Sequence, residues 1–135
     1  MLILASETQM STFLLAASIL ILATGCAHSF LGELLILRFM VNFKEVPALL
    51  GSIELTKQTL RFTWHLPTLL ASGMALILLH YASLPQLGNQ EKFVINTISG
   101  ALLACFFVTL AFSRGRHPGW IAFLLAATLA WIGAR

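Results

Sequence analysis

Four long runs of apolar residues, none containing Lys, Arg, Asp or Glu, decide what this chain can fold into; they cover about residues 11–31, 62–82, 93–113 and 118–134. A helix needs about 20 apolar residues, and at least about 17, to cross the hydrocarbon core of a bilayer. The fourth run sits at that lower limit, so it is expected to stand nearly upright or to thin the bilayer around it. Lipid offers no water to main-chain N–H and C=O groups, which leaves helices or closed barrels as spanning forms. Period-two patterning is absent, so the barrel is excluded. The expected fold is an all-α membrane protein: one domain with four transmembrane helices in an up-down bundle.

Composition agrees. Hydrophobic residues make up 59% of the 135 positions and charged residues only 10%, whereas a soluble domain carries about 25% charged residues. The net charge of +3 is small and scattered, which argues against nucleic acid as a partner.

The connections carry helix-breaking residues. Pro85, Gly88 and Asn89 mark a short link after the second run, and Arg114 to Pro118 the link before the fourth, with Pro118 suited to a first helical position. The connection 32–61 is longer. Residues 33–43 and 47–60 read as amphipathic, interfacial or helix-extending segments, with Leu49, Ile53 and Leu60 on one face and Glu54 and Lys57 turned away. An unbroken helix from residue 11 to 43 would be about 50 Å long at 1.5 Å per residue, so a bend near Gly32 is expected.

The segment Leu22-Ala23-Thr24-Gly25-Cys26 loosely resembles a lipoprotein processing site, but no Lys or Arg precedes Ser11, and a secretory signal begins with positive charge. Cys26 and Cys105 fall within spans without a CxxC partner, as packing residues do.

Basic residues set the orientation. Arg38, Lys44, Lys57, Arg61, Arg114 and Arg116 fall on one side of the expected membrane; Lys92 and Arg135 fall on the side of the two termini. Short basic links stay cytoplasmic. That places both termini on the outer, periplasmic face of a cell inner membrane and the two basic links inside.

The same topology gathers unusual polar residues at the cytoplasmic level. His28-Ser29-Phe30-Leu31-Gly32-Glu33 ends the first span, Trp64-His65 opens the second, and His117-Pro118-Gly119-Trp120 joins the third to the fourth. His80, beside Tyr81, lies at the other end. These HSxxGE, WH and HPxW segments resemble those of a class of small bacterial four-span inner-membrane proteins, and the likeness covers most of the chain. It implies the architecture and carries no activity.

His28, Glu33, His65 and His117 therefore form the candidate functional cluster, because ionisable groups near hydrocarbon tend to be functional. Neutral imidazoles and a carboxylate suit zinc, iron or copper, with His28, Glu33 and His65 as the candidate metal ligands, and a histidine pair suits haem. Acid/base chemistry is the third form of this reading. No HExxH, ExxH or second nearby acid is present, which argues against a two-metal carboxylate site. Each residue also has a plain reading. His117 caps the last helix, His65 caps the second span or meets a headgroup, Ser29 bonds Glu33 four residues on, Arg38 neutralises Glu33, and the tryptophans form an aromatic belt. His28 and Glu33, five apart, are about 140° from each other around the helix.

The alternative function is a non-catalytic accessory subunit or an anionic-lipid-binding protein, with Arg61, Arg114 and Arg116 as headgroup contacts near the positive ends of spans two and four. A transporter is disfavoured, since no span carries a charge at its centre. Ala122, Ala126, Ala130 and Ala134, Gly100 with Ala104, and Gly25 with Ser29 form strips of small residues suited to close helix packing. They serve packing within the chain, a homo-oligomer or a partner subunit.

Overall fold

A computed structural model of the chain describes residues 2–42, 47–48 and 50–135, with side chains of the first helix described from Thr12 onward. Every regular element among these residues is helical: α1 (Leu2–Gly32), a π turn (Glu33–Leu37), α2 (Arg38–Val41), α3 (Ile53–Ala82), α4 (Asn89–Ser113) and α5 (Gly119–Gly133). Three helical stretches, Thr12–Met40, Ile53–Ala82 and Asn89–Ser113, are long and apolar enough to cross a membrane. At 15 residues, α5 is apolar but shorter, and only with its flanking helical residues Pro118 and Ala134 does it reach the expected 118–134.

The bend expected near Gly32 takes another form. Gly32 keeps helical angles, φ −61° and ψ −43°, and the winding loosens after it into the π turn, where Arg38 N–H returns to the Glu33 carbonyl. The helix widens here and runs on. The two amphipathic segments of the long connection extend the neighbouring helices: residues 33–41 continue α1, and Ile53 opens α3 well before the expected start at residue 62. Ser52 caps α3 by accepting the Leu55 N–H at 3.2 Å, a hydroxyl satisfying a donor that the helix leaves open. The Thr56 hydroxyl donates to the Pro47 carbonyl at 2.7 Å, tying the connection down. Lys44 and Leu49 lie outside the described residues.

The left-handed Arg114 and Gly115 (φ 51° and 75°) end α4, with Gly115 N–H returning to the Leu110 carbonyl at 3.1 Å. This is the αL stop in which glycine is the favoured residue.

Helix α1 lies between α3 and α5, α4 packs on α5, and α3 and α4 barely meet. The common core consists of Leu14, Ala17 and Ile21 of α1, Ala75, Leu78 and Ala82 of α3, Ile95, Ile98 and Leu102 of α4, and Ala126, Ala127 and Ala130 of α5 with Ala134 just beyond it. All of these belong to the half of the bundle near Lys92 and Arg135. In the other half, only Gly25, Gly32 and Leu37 are buried among the described residues of α1, the π turn and α3 up to Ala71. The four-helix core therefore occupies one end, and at the other end α1 is held chiefly by α3.

Of the small-residue strips, Ala126, Ala130 and Ala134 are buried within the single chain and Ala122 is half-buried. Close approach shows beside this strip, where a Cβ built on Gly133 would stand 2.6 Å from Leu14 Cδ2 and 3.2 Å from the Leu14 main-chain nitrogen. Gly100 and Ala104 are exposed, and nothing lies within 4 Å of a Cβ added at Gly100. That strip of α4 is not a packing face inside this chain.

Candidate functional site: the polar seam between α1 and α3

Antiparallel α1 and α3 meet in one register along most of their length. The buried Ser18 hydroxyl donates to the Ala75 carbonyl at 2.8 Å. Gly25 then meets Thr68, His28 meets Trp64, Ser29 meets His65, and Glu33 meets Arg61. On α3, the residues at 61, 65, 68, 72 and 75 recur at the three- and four-residue spacing of one helical face. On α1, small residues let the backbones close up, as in helix pairs packed through small-xxx-small faces.

Gly32 shows the closeness best. The Trp64 indole lies over it, so that a Cβ there would stand 1.9 Å from Trp64 Nε1 and 2.4 Å from Cε2. Trp64 Nε1–H donates to the His28 carbonyl at 3.2 Å, and His28 Nε2–H donates to the Trp64 carbonyl at 3.2 Å. The two rings stack with centroids 4.8 Å apart and planes 4° from parallel. Three residues on, Pro67 has no N–H to return to the Thr63 carbonyl, so this turn of α3 holds one fewer main-chain bond.

A chain of hydroxyls occupies the next level. Thr68 Oγ1 donates to the Gly25 carbonyl at 3.0 Å, Ser29 Oγ donates to Thr68 Oγ1 at 2.8 Å, and His65 Nδ1 stands 2.9 Å from Ser29 Oγ. A carbonyl only accepts, and a hydroxyl has one proton to give. Thr68 gives its proton to Gly25 and Ser29 gives its own to Thr68, so His65 Nδ1 must be the donor to Ser29. The histidine's other nitrogen, Nε2, faces Glu33 Oε2 at 3.5 Å. Neutral, His65 turns a lone pair towards the carboxylate; protonated, it forms an ion pair with it.

Glu33 is held from a second side. Arg61 grips it with two donors, Nε to Oε2 at 3.3 Å and Nη2 to Oε1, the forked geometry in which guanidinium and carboxylate match. Arg61 thus neutralises Glu33, the role expected of Arg38, and is engaged there instead of standing free for a lipid headgroup. The expected Ser29–Glu33 bond gives way to Ser29's bonds with Thr68 and His65, since Ser29 faces α3 squarely while Glu33 reaches it from the following turn. His28 and Glu33, on different faces of α1, both reach α3 by flanking that seam.

Two expected members fall away from a metal centre. His28 commits Nε2 to a main-chain carbonyl and its ring to a stack. His117 Nδ1 accepts the Gly119 N–H at 3.0 Å within its own turn, which is the capping role. No group of three or more His, Cys, Asp or Glu side chains among the described residues is placed to hold a metal ion. Trp64 belongs to the seam instead of a simple interfacial belt. Thr68, missed in the sequence, carries the hydroxyl chain; its spacing of three from His65 and seven from Arg61 was the available signal.

The other marked residues lie elsewhere. His80 contacts the Tyr81 ring at 5.7 Å at the opposite end, Trp120 donates to the Gly115 carbonyl at 3.2 Å, and Cys26 and Cys105 are exposed free thiols. The chain matches no known protein family, no curated protein and no solved structure.

Proposed function

We propose that this chain is an integral membrane protein with four crossings whose α1–α3 seam is an acid/base site, with His65 as the proton-exchanging group and Glu33 as its carboxylate partner. The observation that carries this reading is the placement of His65, with one ring nitrogen on the hydroxyl chain and the other 3.5 Å from Glu33. A histidine fixed between a donor-ordering hydroxyl and a carboxylate is the arrangement that sets imidazole tautomer and orientation in acid/base sites. Arg61 positions Glu33, and Ser29 and Thr68 position His65. In the proposed topology the site lies at the cytoplasmic end, where the basic links gather.

Nitrogen NMR of histidine-labelled protein in lipid nanodiscs tests the assignment directly. The neutral His65 ring should carry its proton on Nδ1, as the hydroxyl chain requires, and Ser29→Ala should release that tautomer. A neutral ring protonated at Nε2, or a tautomer unmoved by Ser29→Ala, overturns the reading.

A second reading, a non-catalytic lipid-associated component, is favoured by Arg114 and Arg116. Both are exposed beside the start of α5 and neither has an ion-pair partner among the described residues. Loss of anionic lipid from Arg114→Gln/Arg116→Gln protein, with His65 invariant in the NMR experiment, is the result that selects it.

A further inference from the structure

Where α4 meets α5, the two helices leave a groove of about 300 Å³ lined by Ser99, Leu103, Ala127, Thr128 and Trp131. Small residues make its floor, and Leu103 and Trp131 stand at its two ends. Its polar groups are already satisfied: Ser99 Oγ donates to the Ala127 carbonyl at 2.8 Å and Thr128 Oγ1 to the Leu124 carbonyl at 2.8 Å. The walls therefore offer an occupant mainly apolar contact.

The end of the groove at Trp131 is different. The Arg135 guanidinium lies 3.9 Å over the Trp131 ring, and Lys92 Nζ reaches the Arg135 main-chain oxygen at 3.4 Å. The side chains of Lys92 and Arg135 thus both belong to the end of the bundle just beyond an apolar slot. Glu91, the acid of the same turn, lies against Gly88, its Oε2 2.7 Å from the position of a Cβ there.

We propose that this groove seats one acyl chain of an anionic phospholipid whose phosphate is held by Lys92 and Arg135. The apolar walls fit the chain, the two basic side chains at its end fit the phosphate, and the stacked Trp131 and Arg135 mark the level where chain and headgroup meet. This seat is at the opposite end of the bundle from Arg114, Arg116 and His65, so it stands or falls apart from the acid/base reading.

The test uses the purified full chain in nanodiscs containing equal phosphatidylglycerol and phosphatidylcholine with matched chains, read by native mass spectrometry. One phosphatidylglycerol should be retained preferentially. The Lys92→Gln/Arg135→Gln variant should retain about thirtyfold less, the scale expected for two basic side chains facing an anionic headgroup. Thr128→Phe, which fills the slot from an exposed position, should lower retention while leaving the helical content unchanged. Bromine on the acyl chain of phosphatidylglycerol should quench wild-type tryptophan emission more than Trp131→Phe emission, which keeps the proposal testable if the charge variant fails to fold. Equal retention of both lipids, loss of retention only on removing Arg114 and Arg116, or a dimer whose interface covers Trp131 and Thr128 each overturn it.

Discussion

Gly32 is the position where a single atom decides the seam. The indole of Trp64 occupies the volume a Cβ needs, and Trp64 in turn carries the stack and the paired bonds with His28. Gly32→Ala should therefore expel Trp64 and destabilise the α1–α3 pair by about 1–3 kcal/mol, the range for forcing a methyl group into a filled space. In nanodiscs this reads as a shift in tryptophan emission and a lower melting temperature, while Gly100→Ala, which meets nothing within 4 Å, changes neither. An unshifted emission and melting temperature for Gly32→Ala would show that the indole is not seated there. The polar residues of this seam were legible in the sequence because ionisable groups beside apolar runs stand out. Their partners were not. Helical spacing says which residues share a face of one helix, but the offset between two helices is set by packing. The same three histidines and one glutamate were thus compatible with a metal centre until the register assigned each its partner.

At the level of helices, the alanine strip of α5 is the cleanest case of pattern turning into packing. Ala126 and Ala130 are 2% and 0% exposed, whereas Ala122 is only half-buried. Replacing Ala126 or Ala130 by Leu should destabilise the bundle by about 1–3 kcal/mol, and the same change at Ala122 by less than about 1 kcal/mol. Thermal unfolding in detergent, followed by circular dichroism, measures the difference, and equal stability of all three variants would place the strip against lipid. The spacing of four predicted this face correctly. A similar spacing, Gly100 with Ala104, gave an exposed face instead, because small residues permit close approach without demanding it. The helical extents were legible to within a few residues where a Pro or Gly marked the boundary. Around 32–61 the sequence left interfacial and helix-extending readings open, and a π turn and a serine cap let the flanking helices run on.

For the whole molecule, the uneven distribution of basic residues leads to the proposed topology. Reporter fusions placed after Gln90 and after Arg135 should both read as external, because Arg38, Lys57, Arg61, Arg114 and Arg116 then remain in the cytoplasm. An internal signal from either fusion would move His65 and Glu33 to the outer face and reverse the orientation of the bundle.

The central place of α1 also bears on how the molecule is made. Leu14 packs against Gly133, so α1 is completed by α5, which leaves the ribosome much later. At about 5–20 residues per second, synthesis of the intervening chain takes on the order of 5–20 s. During that interval the nascent α1 has its polar groups answered as soon as α3 arrives, through Ser18 and the seam beyond it. In the proposed membrane setting its apolar flank has no helix to cover it until α5 emerges, which leaves the finished bundle dependent on its shortest long helix.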